Sequence, residues 1–416
     1  MHSLRQYLRL TKLVSGSSRR LPCLYNNCSS SSSPSLSLHT ISTRWCSSSS
    51  SSSSTVTPSP SSVIDKASLL SNFVYRMRML DYYAQNDAAV AHEFTRSNFI
   101  VMLDRRPLVL FAPPPGGARL VSLHFEDLSR RLSEWGFSID LVNSVFLDLD
   151  DVIENGVKAH RGLFGVSIRT AELPEDSPIS IDKIRDDVGQ SLGGRFMDLR
   201  RAMLSLDQER DRNLLAKHHT LSRWSAIYRR CPKCASALRQ RVSKTAAECL
   251  QCQRFYYPTL SPVAITLVRD AADEHALLVR HKGSVPGVYT CVAGFAVAGE
   301  SLEQTVQREL AEEVGLDCFT VPTAMGRSQP WPMPDSSLMS AFEVVADKTQ
   351  MIQVCPDELE TARWFTRNEV ASAVERTIND PLLKKLPRNP DDRQKFLYIP
   401  PAGAIAHQMI KGWLHR

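Results

Sequence analysis

The 416-residue sequence predicts an α/β fold, preceded by a four-cysteine ribbon and an N-terminal α+β domain. Three observations lead there. From about residue 258 onward, apolar runs of strand length alternate with stretches of helical period. Just upstream stand two Cys-x-x-Cys pairs, Cys231–Cys234 and Cys249–Cys252. Farther upstream, four strand-like runs precede two helical ones. A chain of this length holds two or three domains, and its 43% hydrophobic content supports sizeable cores. The expected divisions are 1–60, 64–228, 229–257 and 258–416.

The first segment stands apart by charge. Up to Ile64 it contains Arg5, Arg9, Lys12, Arg19, Arg20 and Arg44, no acidic residue, and an unbroken serine tract from Ser47 to Ser54. Such a stretch buries too little apolar area to fold alone. Arg5, Arg9 and Lys12 with Leu4, Leu8 and Leu10 suit a short amphipathic helix, without the apolar core of a secretory signal. The expectation is an organelle transit peptide, mitochondrial first and plastid as the alternative. The formal charge of +6 also belongs here: without those six residues, 44 basic groups face 44 acidic ones. A neutral body argues against long nucleic acid as the main partner. No apolar run approaches the roughly 20 residues of a membrane span, so no membrane partner is expected.

In the second segment, residues 98–104, 108–112, 144–149 and 162–168 read as strands, and 113–117, three prolines and two glycines, as a loop. Residues 195–206 and 208–228 read as helices, with His218 and His219 as solvated or capping side chains. No catalytic cluster stands out. The third segment reads Cys231-Pro-Lys-Cys234, fourteen residues, Cys249-Leu-Gln-Cys252. Two knuckles at this spacing predict a zinc ribbon, and four thiolates close the shell of a structural Zn²⁺. A disulfide framework is unexpected in a chain this long.

In the last segment, residues 263–268, 276–281 and 338–346 suit strands, 287–294 leads the chain onward from them, and 358–370 reads as a strand passing into a helix. Between them lies GFAVAGESLEQTVQRELAEEVGL, residues 294–316. Ser301 with Gln304 three residues on is a capping box, and Gly315 marks the stop. Gly294 and Gly299 permit a tight loop ahead of the helix. Leu302, Val306 and Leu310 form an apolar stripe, while Glu309, Glu312 and Glu313 project together at about 100° per residue. Carboxylates so concentrated repel one another unless a cation sits among them, and hard oxygen ligands select Mg²⁺ or Mn²⁺.

Gly294, Glu300, Arg308-Glu309-Leu310, Glu312-Glu313 and Gly315-Leu316 together resemble a complete Nudix box. The resemblance implies a Nudix α/β/α sandwich and hydrolysis of a nucleoside diphosphate linked to another group. Residues 328–336, SQPWPMPDS, resemble the SQPWPFPxS element of the NADH pyrophosphatase branch, with Met333 for its Phe and one extra residue before Leu338-Met339. Its three prolines preclude helix and predict an extended loop. Trp331 is open to two roles there, a flat ring for a base or nicotinamide, or a core plug. The ribbon with its Tyr256-Tyr257-Pro258 tail resembles the insert of the same branch, and the chain resembles the vertebrate mitochondrial type of that branch.

What the branch implies for this chain can be placed by residue. Glu309 and Glu313 are metal ligands; Glu312 is a third ligand or the group that orients and deprotonates water. Ala293 offers a backbone carbonyl to the metal, and Glu358 a carboxylate from outside the box. Arg308 orients a carboxylate, and Glu300 supports from behind. Tyr257, Gln329, Pro330, Trp331, Pro332, Met333, Pro334, Asp335, Ser336 and Ala406 are candidate substrate contacts, although Tyr257 suits a packed position equally. The N-terminal domain is expected to assist a homodimer. The expected activity is hydrolysis of NADH or NADPH to NMNH plus AMP or 2′,5′-ADP. The alternatives are removal of NAD caps from RNA 5′ ends, or a non-catalytic zinc-ribbon binding protein.

Overall fold

The computed structural model describes residues 72–111, 117–154, 157–172, 180–318, 320–334, 336–386 and 397–416. It divides into two units, Met1–Tyr75 and Arg76–Arg416. The expected transit segment, residues 112–116 and Asp335 lie outside the described residues. The features below belong to the second unit.

The C-terminal sheet runs in the order Thr323–Trp331, Ser337–Val345, Ser261–Arg269, His275–His281, Leu359–Thr366, with Val292–Phe295 also paired to Ser261–Arg269. Ser261–Arg269 and Ser337–Val345 are parallel; the other pairings are antiparallel. Alternation along the strands sends successive side chains to opposite faces. Ile265, Leu267, Ala276 and Leu278 meet Val370, Val374, Met409, Ile410 and Trp413 of helices Arg367–Asn379 and Ile405–Leu414. Their neighbours Ala264, Val268, Leu277 and Val279 meet Val306, Leu310 and Val314 of helix Leu302–Val314. This is an α/β/α sandwich. Each buried Val or Leu on that last helix contributes ~1.5–3 kcal/mol, so the acidic helix is anchored by its apolar stripe.

The N-terminal sheet orders Ala118–Leu120, Arg106–Phe111, Asn98–Leu103, Val157–Ile168 and Ser144–Glu154, with two short strands added. All four expected strands are present. The stretch 195–206 differs: Arg195–Phe196 pairs with Arg106–Phe111, and the helix is only Leu199–Ser205. The Asp198 carboxylate accepts the Arg201 amide at 3.1 Å and fixes that later start. Helix Glu209–Ile227 touches strand Ser144–Glu154 of this sheet and strand Thr323–Trp331 of the other.

That double contact overturns the solvated reading of the two histidines. His218 is 0% exposed and His219 8%. His218 Nε2 lies 3.1 Å from Ser167 Oγ, and burial, with neighbouring His219, pushes it down to about 3.

Candidate functional site

Helix Leu302–Val314 begins and ends as its spacing predicts. Ser301 and Gln304 form the reciprocal capping box, and Gly315 closes the helix at φ 68°. Gly299, at φ 96°, makes the turn before it. Gly294 has a different use from the expected loop. It lies within strand Val292–Phe295, where a Cβ would stand 1.8 Å from Glu309 Cδ. The missing side chain gives the carboxylate its seat.

Glu309, Glu313 and Glu358 bring one carboxylate oxygen each within 4.8 Å of one another. Glu309 and Glu313 are buried. Glu358 arrives by backbone bonding. The Gln353 amide donates to Val314 O at 2.8 Å and the Cys355 amide to Glu313 O at 2.9 Å, satisfying last-turn carbonyls of the helix. The Glu358 amide then donates to Cys355 O at 3.2 Å.

Arg308 organises the helix start. Its Nε donates to Glu300 at 2.6 Å, Nη1 to Glu309 at 2.8 Å and to Glu312 at 3.0 Å, and Nη2 to Phe295 O at 2.7 Å. This pairing holds Glu300 down to about 2, and Glu300 also accepts the Val297 amide and the Thr305 hydroxyl. Glu312 stays outside the three-carboxylate group, its side chain 56% exposed. Ala293 lies opposite Ile265, one residue before Gly294.

The donor set fits a hard cation. Burial, then Glu309, Glu358 and Glu312, push Glu313 up to about 9. Burial also raises Glu309, against the Arg308 guanidinium. Glu313 Oε2 is buried without a hydrogen-bond partner. A divalent cation among these oxygens supplies the missing partner and offsets the repulsion.

The cysteines converge as well. Sγ separations are 3.5 Å for Cys231–Cys252, 3.5 Å for Cys234–Cys249 and 3.9 Å for Cys234–Cys252. Thiolates about 2.3 Å from a central Zn²⁺ stand about 3.8 Å apart, so the four fit a zinc tetrahedron. Ala235 and Gln253, each following the second cysteine of its knuckle, have φ of 59° and 53°.

The proline-tryptophan segment corrects the loop expectation. Ser328, Gln329, Pro330 and Trp331 lie in an edge strand, Pro330 opposite Leu338. An edge tolerates a residue with no N–H to donate. Trp331 and Met333 pack against the N-terminal cluster that contains Met102, Val109 and Leu215. Trp331 also lines a cleft of about 280 Å³ with Pro330 and Pro332. An adjoining cleft of about 640 Å³ shares Asn213 and Pro330 and reaches Arg212, Arg327 and Gly403, and none of Glu309, Glu312, Glu313 and Glu358 lines it. Gln329 is committed to backbone: it donates to Gly403 O at 2.7 Å and accepts the Ile405 amide at 2.8 Å. Ser336 donates to Thr220 at 3.0 Å, and Pro334 O accepts from Arg223 at 2.8 Å. Ala406 is 3% exposed and faces the core, because the helix starting at Ile405 turns it inward; Ala404 and Ile405 line the larger cleft instead. Tyr257 is exposed beside the ribbon and lines neither cleft.

The NUDIX domain family matches residues 259–386. A Caenorhabditis elegans relative named NAD-capped RNA hydrolase ndx-9 is 55% identical over 342 residues, 82% of this chain and 90% of its own. The chain belongs to the Nudix family, in its NADH pyrophosphatase branch. The human NAD(P)H pyrophosphatase NUDT13, mitochondrial, is 31% identical over 84% of this chain and 93% of its own. Human NAD-capped RNA hydrolase NUDT12 is 35% identical over 51% of this chain and 44% of its own.

Thr220 and Arg223 are the site-bordering residues that sequence reasoning missed. Both lie on a helix outside the Nudix domain, and they hold the proline-tryptophan segment by one hydrogen bond each. No local spacing connects residues more than a hundred positions apart.

Proposed function

We propose that this Nudix protein hydrolyses the pyrophosphate bond of reduced nicotinamide dinucleotides, NADH + H₂O → NMNH + AMP, with NADPH giving 2′,5′-ADP. The observation that carries the reading is the buried, unpartnered Glu313 oxygen among three converging carboxylates on the box helix and its partner loop. A binding module gains nothing from that arrangement, which costs stability without a cation.

Glu309, Glu313 and Glu358 would hold Mg²⁺ or Mn²⁺, with the Ala293 carbonyl beside them. A cation held there would supply positive charge to offset that of the diphosphate and to favour breaking its bridging bond. Glu312, exposed and held by Arg308, would orient a water or take its proton. Arg308 keeps Glu309 in position, and Glu300 keeps Arg308. The four cysteines would hold a structural Zn²⁺ with no open position. We further propose that the chain works as a homodimer in mitochondria, from the branch resemblance and the basic leader.

A second reading is removal of NAD caps from RNA, favoured by the name of the worm relative. The bond cleaved is the same. Assays with Mg²⁺ on NADH, NADPH, NAD⁺, ADP-ribose and NAD-capped RNA separate the two. Equal rates on ADP-ribose and NADH sink the nicotinamide reading, and faster turnover of capped RNA moves the assignment to decapping. Full activity in Glu309→Gln sinks the carboxylate mechanism.

A further inference from the structure

The N-terminal sheet carries a basic cleft that the proposed reaction does not use. Its two parallel neighbours, Asn98–Leu103 and Val157–Ile168, end side by side at Leu103 and Ile168. Each is followed at once by an arginine-bearing turn, Asp104-Arg105 after the first and Arg169 after the second. Helix Glu209–Ile227 lies beside them and adds His219, Ser222 and Arg223, spaced i, i+3 and i+4 on one face. With Ser167 these residues line about 460 Å³, within the range of small-molecule sites.

The cleft is positive, and its two serines are set among Met102, Ile168, Ala226 and Ile227. Its one carboxylate, Asp104, is engaged by the Thr170 amide at 3.0 Å and hydroxyl at 2.9 Å, and lies 3.6 Å from Arg185. Arg105 and Arg169 are exposed at the rim. Ser167 Oγ donates to Ser222 Oγ at 3.2 Å over the buried histidines. Arginine forks above fixed hydroxyls suit a tetrahedral oxyanion. The backbone adds a second observation. Asp104 and Arg105 have φ of 49° and 63°. A two-residue turn of that hand favours glycine, so a long side chain is held there against local preference.

We propose that this cleft binds a phosphate ester of mononucleotide size, with its phosphate held by Arg105 and Arg169 above Ser167 and Ser222. The cleft shares a wall with the proline-tryptophan segment, because Arg223 also holds Pro334 O at 2.8 Å.

Isothermal titration of the full chain with AMP, inorganic phosphate and adenosine tests the site. AMP and phosphate should bind, and adenosine should not. The Arg105→Glu/Arg169→Glu variant should bind AMP at least about ten-fold more weakly, with NADH hydrolysis unchanged. Glu313→Gln should keep AMP binding, which separates this site from the carboxylates. If the double variant does not fold, judged by its melting curve, Arg169→Gln alone at the exposed rim carries the test. Unchanged AMP affinity in the arginine variants, loss of it in Glu313→Gln, or adenosine binding as well as AMP overturns the proposal. Binding is read apart from hydrolysis, so either conclusion can fail without the other.

Discussion

The carboxylate cluster and the cysteine cluster both fit a metal ion, yet they stand on opposite kinds of support. The carboxylates sit on a helix already fastened by Val306, Leu310 and Val314 to the sheet. The cysteines sit on two knuckles joined by three short strands, Arg239–Gln240, Ala247–Cys249 and Arg254–Tyr256. Between the knuckles the buried apolar side chains are only Ala246 and Ala247. A core that small cannot hold a fold without cross-links. A metal among the carboxylates would therefore act on a finished scaffold, whereas one among the cysteines would finish the scaffold.

Zinc removal is the strongest way to break the comparison. Stripping Zn²⁺, or replacing the fully buried Cys249 by Ser, should unfold residues 229–257, because ion binding in such ribbons supplies about 10 kcal/mol or more of folding free energy. Limited proteolysis should then cut within the ribbon. Withholding Mg²⁺ should stop hydrolysis and leave the proteolysis pattern as it was. A ribbon that resists proteolysis without zinc ends the contrast.

Gly294→Ala comes next. The added Cβ would overlap Glu309 Cδ at 1.8 Å, so carboxylate or strand must move. Overpacking costs about 1–3 kcal/mol, and displacing a catalytic group by about 1 Å costs on the order of a hundred-fold in rate. Thermal melts and steady-state rates should both fall. Unchanged rates would show that Glu309 does not need its seat.

Sequence spacing carried the parts of both clusters that are local. The capping box, the Gly315 stop and the two knuckles each lie within a few residues, and each is where spacing places it. Glu358 was legible only through family resemblance. It is delivered by the amides of Gln353 and Cys355 meeting last-turn carbonyls, and amides carry no residue signature. The burial of His218 and His219 was hidden because their helix is covered by two sheets, which erases the one-sided pattern that periodicity detects. The proline-tryptophan strand was hidden for a related reason: prolines argue against strands in general, and edge position is a property of the sheet.

Arg308→Lys is a smaller change on the carboxylate side. A lysine keeps the charge but cannot span Glu300, Glu309, Glu312 and Phe295 O at once. Hydrolysis should fall about ten-fold as Glu309 loses its fork partner. The cysteine cluster should keep its zinc. Equal loss of bound zinc would mean that the two regions are not independent.

Glu312→Gln should disturb the fold least and divide the acidic helix most finely. Its side chain is 56% exposed, and its described bond is a surface pair with Arg308. Surface pairs of this kind add little to stability, so the melting temperature should not move. The Mn²⁺ affinity, read by titration, then separates two roles. A water-orienting carboxylate predicts a lower kcat with unchanged metal affinity; a ligand predicts that both weaken together. The geometry favours the first, since the converging oxygens belong to Glu309, Glu313 and Glu358. If Mn²⁺ affinity falls as far in Glu312→Gln as in Glu313→Gln, the side chain swings inward on metal binding, and four carboxylates share the ion.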